Sequence, residues 1–139
     1  MEMPIIRKLF VLVLLVTRLV AQSPSSESAK ADEQITGVWR GNSTCLVKDS
    51  PCRDETNVYR ISRVAQKPGR FLVAGSKIVD GKEILMGSGE WKYDAQKHTL
   101  ESDSLPGGVI KLIVDGDKMD GTLARQETPY RRIHLQKEK

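Results

Sequence analysis

The chain predicts an all-β domain: an eight-stranded, antiparallel, up-and-down barrel over residues 34–139. From Ile35 onward, short runs rich in Val, Ile, Thr and aromatic residues are punctuated by turn chemistry roughly every 8–12 residues. Almost no stretch there carries the spacing of an amphipathic helix. Every connection is short, so consecutive runs pair as a meander, and closing the sheet removes the edges an open one exposes.

Each run has its own signal. In QITGVWRGNSTCLV, residues 34–47, strand alternation puts Ile35, Gly37 and Trp39 on one face. The connection KDSPCRD leads to ETNVYRISRVAQ, residues 55–66, and the turn KPGR opens FLVAGSKIV, residues 71–79. Asp80-Gly81 is a two-residue hairpin signal leading into KEILMGSGEWKYD, residues 82–94. HTLESDS follows the turn DAQK, and the break LPGG precedes VIKLIV, residues 109–114. A second Asp-Gly, at 115–116, turns the chain into KMDGTLARQE, and TPYRRIHLQK, residues 128–137, closes the domain.

The beginning of the chain reads differently. Arg7 and Lys8 precede the apolar run Leu9–Val16, Thr17 and Arg18 end it, and Ala21 offers a small residue for cleavage. That is the anatomy of a secretory signal peptide over residues 1–21. The run is shorter than the roughly 20 apolar residues a membrane span needs. The Ser-rich polar segment at residues 22–33 has no apolar periodicity and reads as a flexible tether. The expected destination is therefore the periplasm or the exterior, with no membrane span in the mature chain.

Charge excludes one partner class. Of 22 basic and 18 acidic residues the leader holds Arg7, Lys8, Arg18 and Glu2, so 19 and 17 remain, interleaved along the chain. Nucleic-acid binding calls for a one-signed face with stacking aromatics, and neither pattern is present. In an exported chain the pair Cys45 and Cys52 predicts a disulfide that fastens one loop. Closing so short a loop contributes about 2–3 kcal/mol.

Gly37-Val38-Trp39 at the start of the first strand resembles the lipocalin and calycin pattern. In those families the tryptophan plugs the closed end of the barrel and an arginine of the last strand packs across it. The resemblance implies a cation–π pair between Trp39 and Arg131, the latter sharing a face with Ile133 and Leu135. It rests on one motif and the strand count. The chain is short for a lipocalin, has no legible C-terminal helix, and lacks room for a helical lid between its first two strands. It also resembles small exported bacterial domains of unknown function. Asn42-Ser43-Thr44 matches the N-glycosylation sequon, which bears only on a eukaryotic secretory pathway.

An eight-stranded barrel has an interior that side chains fill or that holds one small molecule. Gly87 and Gly89 share a strand face with Trp91 and Tyr93, and small residues beside large ones leave room lined by rings. Tyr59, Phe71, Trp91 and Tyr93 are the candidate ligand-lining residues. In the opposing reading Leu, Ile, Val and Met fill the space and the glycines serve barrel curvature.

No catalytic residue, metal site or cofactor is expected. His98 falls in a turn and His134 in the last strand, with no nucleophile elbow and no free cysteine beside either. DGDKMDG, residues 115–121, has Met119 and Asp120 where a calcium loop needs an oxygen ligand and glycine. A small barrel enzyme is therefore the weakest of three readings. Ahead of it stand a binding protein for a small apolar ligand and an interaction module for an extracytoplasmic protein. Secreted bacterial metalloprotease inhibitors, compact barrels whose N-terminal arm enters the protease cleft, resemble the latter, although their cysteines lie farther apart.

Overall fold

The computed structural model describes residues 25–139. Helix α1, Ser26–Ile35, precedes eight strands: β1 Gly37–Cys45, β2 Glu55–Arg63, β3 Arg70–Val79, β4 Lys82–Asp94, β5 Thr99–Ser102, β6 Val109–Asp115, β7 Lys118–Arg125 and β8 Thr128–Lys137. Each strand is antiparallel to the next, and β1 also pairs with β8, closing the barrel in sequence order. Among the described residues no helix is long and apolar enough to cross a membrane. The proposed signal peptide lies outside the described residues.

The hairpins follow from local chemistry. Asp80 and Gly81 both take positive φ, 49° and 77°, as the tight turn joining β3 to β4 requires. Alternation then delivers Trp39, Tyr59, Ile61, Phe71, Val73 and Trp91 to one buried cluster with Leu112, Met119, Ile133 and Leu135. Burying one such side chain stabilises the fold by about 1.5–3 kcal/mol. A bulge inserts Met86 into β4, because Gly75 pairs with Gly87 and Ser76 with Leu85.

The polar segment expected as a tether is helical over Ser26–Ile35. The Ser25 hydroxyl caps it, accepting from the Ser28 N–H at 3.3 Å, and Glu27 complements the positive end of the helix dipole. With so few apolar residues, the helix depends on tertiary contact rather than on an amphipathic stripe. Ile35 is fully buried in the barrel core, Ala31 packs beside it, and Asp32 lies 3.6 Å from Arg63 of β2. The helix closes the end of the barrel where β1 begins.

The Gly-x-Trp motif makes that closure. The Trp39 indole is fully buried and donates from Nε1 to the Ile35 carbonyl at 2.9 Å, satisfying a helix-terminal acceptor. The expected cation–π partner, Arg131, is not there: Trp39 pairs across the sheet with Lys137, while Arg131 pairs with Cys45, six residues farther along β1. It is the Lys137 ammonium that lies 5.6 Å from the indole centre. Gly37, at φ +131°, passes against the Lys137 side chain, where a β-carbon would come within 2.9 Å of Cε. The positive φ is what requires a glycine here, since the lysine stem could shift aside.

Candidate ligand cavity

The barrel has two unlike halves. Toward α1, side chains fill it: Phe71 meets Tyr93 edge-on with ring centres 6.4 Å apart, and Leu100, Leu112 and Met119 are fully buried beside them. Toward the opposite end, small residues replace large ones. Gly75, Gly87 and Gly89 fall on facing segments of β3 and β4, with Gly75 opposite Gly87 and Val73 opposite Gly89. A β-carbon built on Gly87 or Gly89 would meet nothing within 4 Å, whereas one on Gly75 would touch the Tyr59 ring at 3.5 Å.

The space left by these glycines is a cavity of about 480 Å³. Its walls are Tyr59, Val73, Trp91 and Ile110 from the barrel interior, with Met86, Leu105 and Leu123 toward the rim. Tyr59 and Trp91 meet edge-on with ring centres 5.6 Å apart, so two aromatic faces fix one side. The volume lies within the ~300–1,000 Å³ range of small-molecule sites.

The opening has a structural cause. Strand β4 is 13 residues long and β5 only four, so they pair solely from Trp91–Ser102 to Asp94–Thr99. Beyond Glu90 the barrel wall parts, and the turn Leu105–Gly108 stands across the gap. Arg125 anchors that turn by donating from Nε to the Gly107 carbonyl at 2.9 Å, and the same guanidinium lies 3.8 Å from the Tyr130 ring centre.

Two of the four expected lining residues therefore reach the cavity, Tyr59 and Trp91. Phe71 and Tyr93 do not: strand alternation does turn them inward, but they lie on the filled side, in the core behind Trp91. Val73, Met86, Leu105, Ile110 and Leu123 also line the cavity. The alternation of β3, β6 and β7 would have turned Val73, Ile110 and Leu123 inward. Leu105 sits in a turn and Met86 in a bulge, where alternation gives no guidance.

A polar layer lies beside the cavity. Arg131 donates to the Ser43 hydroxyl at 3.2 Å and the Arg53 carbonyl at 2.9 Å, and lies 3.4 Å from the Glu55 carboxylate. Asn57 donates to the Ser76 carbonyl. The Cys45–Cys52 disulfide is formed, and Arg131 fastens the same loop from the barrel side. Burial drives the Tyr59 phenol well above the usual tyrosine range; the nearby Glu55 charge adds to this and Arg131 opposes it. Tyr59 therefore presents a neutral ring and hydroxyl.

The two histidines lie elsewhere. His98 Nδ1 is 3.5 Å from the Tyr93 hydroxyl at the filled end, and His134 pairs with Asp120 on the outer face of β7 and β8. Among the described residues no group of three or more His, Cys, Asp or Glu is placed to hold a metal ion. No protein-family model matches the chain, and comparison with curated proteins returns no match.

Proposed function

We propose that this protein is an exported, lipocalin-like binding protein that takes a small, predominantly apolar ligand into the barrel cavity. One observation carries the reading: Gly87 and Gly89 leave a gap beside Tyr59, Val73, Trp91, Ile110 and Leu123, and these residues together line one apolar cavity. Two aromatic rings, an apolar floor and a nearby polar rim are the usual composition of a small-molecule site. The leader-like residues 1–21 and the Cys45–Cys52 bridge support export, since disulfides persist in oxidising compartments.

The docked helix α1 favours this reading over an inhibitor whose N-terminal arm enters a partner's cleft. Over Ser26–Ile35 the chain is tied down through Ile35, Trp39 and Lys137 rather than extended from the barrel.

Titration with a solvent-sensitive apolar dye, read through tryptophan emission, tests the proposal. Trp91 lines the cavity and Trp39 is sealed at the other end, so saturable quenching should vanish in Trp91→Phe and persist in Trp39→Phe. Quenching that never saturates, or that survives loss of Trp91, would refute binding at this cavity.

A further inference from the structure

Although the barrel closes through β1 and β8, its wall is incomplete along one stretch. Among the described residues, strand β4 from Lys82 to Glu90 is paired with β3 on one side and with no strand on the other. Alternate N–H and C=O groups along this length point outward without a ladder partner, the feature by which a strand edge recognises another strand. The exposed edge is also apolar at its centre: Ile84, Leu85 and Met86 are 45 %, 64 % and 50 % exposed.

The order of residues along the edge identifies what fits it. When the segment is laid antiparallel against itself about a two-fold axis through Met86, Lys82 falls opposite Glu90 of the partner subunit. In the same register Leu85 falls opposite a glycine, Gly87, and Ile84 opposite Ser88, while Met86 meets its own copy at the axis. No two like charges come face to face. The bulge at Met86 sits on the axis, leaving two regular arms, Lys82–Leu85 and Gly87–Glu90, to pair with one another.

We infer that this protein forms a two-fold homodimer by pairing the exposed edges of β4 from two copies, with Met86 at the axis. An isologous contact needs a surface complementary to itself, and this edge is complementary in charge, size and backbone hydrogen bonding. Glu90 already holds Lys67 at 3.2 Å and Arg70 at 3.5 Å within its own barrel, so its carboxylate is fixed in position to receive Lys82. The pairing joins β3–β4 of both copies into one four-stranded sheet and covers Leu85 and Met86. The paired edge borders the cavity mouth, where Met86–Gly89 face the Leu105–Gly107 turn, so the partner strand narrows that mouth.

Sedimentation velocity on the purified protein over a micromolar concentration series tests this, with circular dichroism confirming that each variant folds. The wild type should dimerise. Lys82→Glu and Glu90→Lys, each alone, place like charges opposite one another twice per dimer and should raise the dissociation constant by at least roughly tenfold. Mixing the two variants restores both opposite-charge pairs and should recover a dimer near wild-type affinity. Leu85→Glu, on an exposed position, should give a folded monomer. A wild type that stays monomeric across the series overturns the inference. So does a dimer insensitive to these substitutions, or a mixture that associates no better than its components.

Discussion

Lys137 holds the closed end of the barrel through Trp39: its ammonium lies 5.6 Å from the indole centre and donates to the Glu33 and Gln34 carbonyls at 2.8 and 3.1 Å. One side chain of the last strand thus caps the C-terminus of α1 and covers the residue that plugs the barrel. Lys137→Met keeps much of the stem but removes both hydrogen bonds and the cation. It should lower stability by about 1–2 kcal/mol in urea unfolding. An unchanged midpoint would mean the ammonium contributes nothing at this site.

Trp39→Phe removes more. The Ile35 carbonyl loses its donor in a dry environment and a void opens where the larger ring was. The expected loss is about 2–4 kcal/mol, with the helical far-ultraviolet signal falling before the strand signal on heating. Simultaneous loss of both signals would show that α1 and the barrel melt as one unit.

Reducing the Cys45–Cys52 bond should cost about 2–3 kcal/mol, the chain entropy of a short loop. The barrel should nonetheless stay folded, because Arg131 continues to bind the loop at Arg53 and β1 at Ser43. Arg131→Met combined with reduction should lose more than either change alone adds. Strict additivity in thermal melts would argue against a shared role.

Stability should fall at both extremes of pH, for different groups. The Arg60 hydrogen bond holds Glu83 below the usual carboxylate range, and the Lys97 and Gln96 N–H groups do the same for Asp94. Their folded-state pKa values lie below the unfolded ones, so this stabilisation is present above about pH 4 and is lost as pH falls through the lowered values. For Tyr59 the sign reverses. The unfolded phenol ionises near pH 10 while the buried one keeps its proton, so stability declines as pH rises beyond about 10. Urea midpoints against pH should show a flatter acid limb in Asp94→Asn and a flatter alkaline limb in Tyr59→Phe. Unchanged limbs would contradict these assignments.

The strand sequence was legible because turn chemistry and alternation are local. Asp80-Gly81 and the run from Gly87 to Tyr93 announce a hairpin and its inward face without tertiary information. Helix α1 was not legible, since its sequence SESAKADEQI has no apolar stripe and is held by a single buried isoleucine and by side chains far along the chain. The cation at the plug is Lys137 rather than Arg131 for a related reason. Arg131 and Lys137 share a strand face, and only the β1–β8 register, which depends on the stagger of the whole barrel, decides which one reaches Trp39. The cavity was half legible: Gly87, Gly89 and Trp91 could be read together, but the gap behind them follows from the mismatch between β4 and β5.

Filling that gap is the most direct test of the ligand reading. Leucine at Gly89 would project into the cavity without meeting protein atoms near its β-carbon, so Gly89→Leu should fold at least as stably as the wild type. It should also lose most of the wild type's saturable dye binding, measured by fluorescence titration at equal protein concentration. Equal binding by a folded Gly89→Leu and the wild type would place the ligand elsewhere and contradict a hollow, ligand-holding barrel.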